Sequence, residues 1–186
     1  MTIVKRILEL ISTPNKAWLR IREENERVNE IQNKFLFPII LFVTLATIAG
    51  KLINTSNYTP ESVLKGAVII LTSIFVGYFT AVIALSETVT SRSFEMKKQY
   101  TACVRIIAYS TSIMLCIEAL VALVPIPGFF LLRVFNLYNV YIIWEGAGII
   151  FKGLEEHKKG LFTVICVILL YLSPVLVRTV MELMMR

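Results

Sequence analysis

The run VLKGAVIILTSIFVGYFTAVIAL, residues 63–85, decides the fold. Lys65 is the one charge in it, and the run is long enough to cross a hydrocarbon layer ~30 Å thick as an α-helix. Four more apolar runs flank it, at 35–53, 100–124, 128–151 and 161–184, and together the five nearly exhaust the 186 residues. The composition agrees: 56% of the chain is apolar, only 17% is charged, and the mean hydropathy is +0.73. A water-soluble domain would carry about a quarter charged residues. The expected class is an all-α integral membrane protein with five transmembrane helices in one domain, 35–186, preceded by an amphipathic helical arm, 1–34.

The arm opens MTIVKRILELIS, with Ile3, Val4, Ile7, Leu8 and Ile11 at helical spacing and Lys5, Arg6 and Glu9 between them. Thr13 followed by Pro14 reads as an N-cap and first helical position, so a second helix begins there. Trp18 and Ile21 give that helix an apolar edge, set among Lys16, Arg20 and Arg22. Lys5, Arg6, Lys16, Trp18, Arg20 and Arg22 are the expected membrane-interface residues, because basic helices with tryptophan at the margin suit the headgroup layer. Residues 23–34 read as a solvated arm. Residues 1–12 are too short and too charged for a signal peptide, so the N-terminus is expected to be retained.

Orientation follows from the cations between spans. Residues 1–34 hold seven Lys or Arg, residues 87–99 hold Arg92, Lys97 and Lys98, and residues 152–160 hold Lys152, Lys158 and Lys159. In a five-span chain these thirteen share one side, opposed on the other by Arg186 alone. The positive-inside rule then places the N-terminus in the cytoplasm and the C-terminus outside. In this setting the net charge of +6 points to anionic lipid headgroups as partner, with other membrane proteins or a second copy, and not to nucleic acid.

Several chemistries lack their residues. Every one of the thirteen acids is Glu, so no aspartate-based metal site can form. Cys103, Cys116 and Cys166 lie inside spans without CxxC spacing and read as buried apolar residues. His157 sits in a charged, solvated segment, and there is no Gly-rich phosphate loop, paired-carboxylate site or triad. No enzyme activity, metal or cofactor is expected. Pro38 and Pro174 fall within spans, where neighbouring helices and Ser173 can satisfy the carbonyls they free. Ala46 and Gly50, with Gly66, Gly77, Gly146 and Gly148, thin helix surfaces for close packing in lipid.

With this layout the sequence resembles the Yip1 family of small five-span membrane proteins. The resemblance rests on Pro14-x-x-Ala17-Trp18-x-x-Ile21 before the first span and Tyr100-x-x-x-x-Arg105-x-x-Ala108-Tyr109-Ser110 opening the third. It continues in the proline-bounded turn 125–128 and in the fourth-span run 138–148 containing Trp144. In eukaryotes that family is implicated in vesicle traffic and Rab GTPase partnering, through a longer cytosolic N-terminal region and a DLYGP-type motif. This chain has neither, so the Rab role is not carried over; it looks like the bacterial branch, which implies the bacterial inner membrane.

Seven charges lie in or near the spans, where a centrally placed one costs roughly 3 kcal/mol. Lys51, Lys65 and Arg178 are near enough to span ends to snorkel. If the chain turns at 125–127, residues equidistant from the turn share a depth, so Glu118 faces Arg133 and Arg105 faces Glu145. The two pairs lie ~20 Å apart along the third span, and their directions around each helix, ~120–140° apart, mean that one pair must reach around or meet another helix. Arg105, Glu118, Arg133 and Glu145 therefore form the candidate intramembrane site: ion pairs locking a hairpin, or the lining of a cavity for a headgroup, ion or metabolite. The function read from this is a non-enzymatic membrane organiser or partner of other membrane proteins and lipids. The alternative is a small transporter or channel using those four charges and a proline-broken fifth span. In a Cys-free background, cysteines placed at Ser56 and Lys97 are expected to label from opposite sides of the membrane. Labelling of both from outside would remove the five-span reading.

Overall fold

The computed structural model describes residues 2–54, 59–91, 94, 96–124 and 128–185. The expected loop position Ser56, the cation Arg92, the turn 125–127 and the tail residue Arg186 lie outside the described residues. Every described element is helical. The arm forms α1 (Ile3–Ser12) and α2 (Pro14–Glu24), and Pro14 does open the second helix. A short α3 (Val28–Ile31) runs through a π turn, Gln32–Leu36, into α4 (Phe37–Asn54). There follow α5 (Pro60–Thr90), α6 (Tyr100–Leu123), a 3₁₀ segment Phe129–Phe135, α7 (Asn136–Ile150) and α8 (Glu156–Met184).

Among the described residues four helical stretches are long and apolar enough to cross a membrane: Val28–Ile53, Pro60–Thr90, Tyr100–Leu123 and Glu156–Met184. The fourth expected span, 128–151, is built of two consecutive segments, the 3₁₀ turn and α7. Its α-helical part, α7, has 15 residues and rises only ~22 Å, short of the ~30 Å needed. The boundary expected at residue 34 lies within the π turn, and α3, that turn and α4 make one helical stretch, Val28–Ile53. The π turn lies where Pro38 removes the N–H that would bond the Lys34 carbonyl, and widening there re-spaces the ladder.

Burial ranks the helices. On α6 every residue from 102 to 115 is buried, making it the central element around which the others pack. By contrast α8 turns Leu161, Val164, Ile168, Leu172, Val175 and Leu176 outward, each about half exposed. Such apolar faces have lipid as their natural solvent.

Small residues set the closest approaches. A Cβ on Gly50 would lie 2.0 Å from the Ala122 carbonyl oxygen, so α4 meets the backbone of α6 there. A Cβ on Gly77 would lie 2.7 Å from Pro174 Cα, which seats Pro174 of α8 against α5. Both neighbours are backbone and cannot rotate away. Gly50→Ala and Gly77→Ala are each expected to destabilise by about 1–3 kcal/mol. Thermal unfolding in detergent checks this, with exposed Glu23→Gln as the neutral control.

Candidate functional site

The polar centre of the molecule lies where the arm meets α6, not between α6 and α7. Asn25 ends α2 in the left-handed region, φ 44°, a conformation its short amide side chain tolerates. That turn brings Glu24, Asn25 and Glu26 over the first turns of α6. Arg6, only 6% exposed, comes from α1: its Nη1 donates to the Tyr109 hydroxyl at 3.0 Å, and its Nη2 pairs with Glu24. The Tyr109 hydroxyl donates in turn to Glu26 Oε2 at 2.8 Å. Arg105 donates to Asn25 Oδ1 at 2.8 Å and to the Glu26 carbonyl at 3.1 Å, leaving its buried Nε without a protein partner. Burial works against the charge on Arg6, but Tyr109, Glu24 and Glu26 outweigh it and hold the guanidinium pKa above its ordinary value.

A second row of contacts fastens α2 along α7. Trp18 is fully buried, and its Nε1 donates to the Ile142 carbonyl at 2.9 Å. Its ring meets Tyr109 edge-on at 6.0 Å. Gly146 makes room for it, since a Cβ there would lie 2.6 Å from the indole. Around this anchor, Asn15 Nδ2 donates to Glu145 at 3.0 Å, Tyr138 Oη to the Ile11 carbonyl at 2.9 Å, and Arg22 Nη1 to the Ile149 carbonyl at 3.3 Å. Deeper in the bundle, buried Asn139 donates to the Ser110 carbonyl at 3.0 Å.

Of the four intramembrane charges, one expected pair forms. Arg133 Nε and Nη2 donate to the two carboxylate oxygens of Glu118, both at 2.9 Å, in a half-exposed bidentate pair. Arg105 and Glu145 do not meet. Each is taken by the arm, Arg105 by Asn25 and Glu26 and Glu145 by Asn15, because the docked arm offers partners that a two-helix hairpin lacks. The four are therefore divided among three separate contacts. Among the residues expected at the headgroup layer, Lys5, Lys16, Arg20 and Arg22 are exposed, Arg20 bridging to Glu9 at 2.6 Å. Arg6 and Trp18 point the other way, into the protein. The sequence reading had Tyr109 only as a motif residue and left Glu24 and Glu26 in a solvated arm. Their signal was a tyrosine and an arginine one turn apart on an otherwise apolar span, facing an acidic stretch of the arm. Among the described residues, no three His, Cys or Glu side chains gather as a metal-binding set.

The Yip1 domain model matches residues 8–177. The chain belongs to the Yip1 family. The match takes in α2 and every long helix, and the segments that carry the resemblance in this Yip1 protein meet in space: Trp18 of α2 lies between Tyr109 of α6 and Gly146 of α7. It is a multi-pass membrane protein, all-helical among the described residues. No curated protein and no solved structure matches the chain.

Tyr109→Phe removes an acceptor from Arg6 and a donor from Glu26, and is expected to cost about 1–3 kcal/mol. Thermal unfolding measures the loss, and faster tryptic cleavage after Arg22 or Arg27 shows that the arm has loosened. Double-mutant cycles with leucine at Glu118 and Arg133 are expected to show coupling. The same cycle at Arg105 and Glu145 should be additive, and coupling there would contradict the assignment of both residues to the arm.

Proposed function

We propose that this protein is a non-enzymatic organiser of the bacterial inner membrane, acting on lipids and neighbouring membrane proteins through its arm and its lipid-facing helices. The observation that carries this reading is the two-sidedness of α1. One face is tied to the bundle through buried Arg6, Ile7 and Leu10. The other turns Val4 and Leu8 outward, 67% and 59% exposed, with Ile11 beside them and exposed Lys5 at their edge. An apolar ridge with a basic flank, fixed to a membrane domain, suits insertion into an anionic headgroup layer or the groove of a partner helix.

Five passes with the N-terminus inside fit this reading. The 3₁₀ segment enters α7 without a break, both junction residues Phe135 and Asn136 being right-handed helical. Seven 3₁₀ residues and fifteen α residues together rise ~36 Å, enough for a crossing. The arm bonds to the start of α6 through Arg105, and Gln99 Nε2 donates to the Lys152 carbonyl at 3.0 Å, so the three basic segments gather at one end of the bundle. The positive-inside rule assigns that end to the cytoplasm. The transporter alternative drew on four intramembrane charges, and these are dispersed over separate contacts.

The test uses proteoliposomes with an environment-sensitive label at Leu8→Cys, Cys103, Cys116 and Cys166 being replaced. The label is expected to be quenched by brominated lipid, and flux of a broad ion and metabolite panel should equal that of empty vesicles. A water-exposed label together with saturable flux abolished by Glu118→Gln would replace the organiser with a transporter.

A further inference from the structure

At the end of the bundle where the arm sits, described residues of the α5–α6 and α7–α8 connections line an open crevice of about 580 Å³. Lys97, Lys152 and Lys158 line it together with Glu155, and Phe94 and Met96 supply its apolar side. Its volume lies within the roughly 300–1,000 Å³ of small-ligand sites.

The crevice is framed and not merely a gap between loops. Gln99 joins one wall to the other through its bond to the Lys152 carbonyl at 3.0 Å. The Met96 amide donates to the Val89 carbonyl at 3.2 Å, and Phe94, 4% exposed, packs edge-on against Phe162 of α8 at 5.9 Å. On the other wall Gly153 takes φ 89°, a turn open to glycine, between Lys152 and the start of α8.

Among the described residues its charge is unbalanced. Glu155 is shared between Lys158 and His157, each at 3.3 Å, which leaves Lys97 and Lys152 without an ion-pair partner among the described residues. Two exposed ammonium groups on facing walls offer an anion charge-assisted donors from both sides. The opening turn of α8, a helix of 29 residues, adds the positive end of its dipole at the same wall. The apolar side suits a ligand whose charged group continues into a non-polar body.

We propose that this crevice binds a phosphate-bearing anion, through Lys97 and Lys152 with Lys158 behind them. A phospholipid headgroup and a soluble phosphoester offer the same chemistry. The position at the ends of the membrane helices, with Phe94 and Met96 alongside, favours the lipid. The assignment is independent of the arm and its function.

The experiment titrates the detergent-solubilised full chain with short-chain phosphatidic acid, short-chain phosphatidylcholine and inorganic phosphate, following the thermal unfolding midpoint. Phosphatidic acid is expected to raise the midpoint saturably where phosphatidylcholine does not. The Lys97→Gln, Lys152→Gln double variant should bind it about thirtyfold more weakly, each lysine supplying about fivefold. Both lysines are exposed, so the variant's ligand-free midpoint should match the parent. Lys97→Arg with Lys152→Arg should restore binding, and Lys16→Gln on the arm should leave it unchanged. Equal effects of inorganic phosphate and phosphatidic acid, lost in the double variant, support the site and assign it to a soluble phosphoester. Equal responses of parent and double variant to every probe would overturn the proposal while leaving the arm reading intact.

Discussion

A guanidinium taken out of water has to bring its partners with it, and the docking of the arm depends on how Arg6 does so. The penalty for burying an ion is several kcal/mol unless opposite charge and hydrogen-bond acceptors surround it. Here the acceptors come from three places in the chain: Tyr109 from the central helix, and Glu24 and Glu26 from either side of the left-handed turn at Asn25. The three are supplied together only when α1 folds back along α2 and both lie on α6. The buried charge therefore specifies one position for the arm, where apolar contacts alone would tolerate sliding.

That position has consequences down the bundle. With α2 held against α7, Trp18 fills the space over Gly146, and Glu145 is turned towards Asn15. Arg105, next to the arm's turn, is drawn to Asn25 and Glu26 and away from α7. Only the Glu118–Arg133 pair, at the far end of α6 and beyond the reach of the arm, follows the logic of an isolated hairpin. The helices in turn need small residues where backbones touch, at Gly50 against Ala122 and Gly77 against Pro174, because lipid tails supply no hydrophobic drive and dispersion must come from close fit.

The arm-bearing end of the molecule differs in kind from its flanks. It gathers the arm, the basic connections and the lysine-lined crevice; the flanks present leucine, valine and isoleucine to lipid. In the function proposed, that end recognises headgroups and partners.

Much was legible in the residues themselves. Apolar runs too long for a small soluble protein dictated membrane helices, since backbone polar groups in lipid must be satisfied within the segment. Thr13-Pro14 marked the start of α2, and equal distance from a turn matched Glu118 with Arg133. The motif residues also carried the family, which is a property of sequence alone. What the linear chain could not decide was which way an amphipathic helix faces when both of its sides are partly apolar. Trp18 and Arg6 read as headgroup residues because tryptophan and arginine favour that layer, yet Gly146 and Tyr109, more than a hundred residues away, provide a cavity and a hydroxyl that hold them better. Tertiary structure settled that competition. The partners of Arg105 and Glu145 and the convergence of Lys97 with Lys152 likewise depend on helices meeting in three dimensions, which spacing along one helix cannot encode.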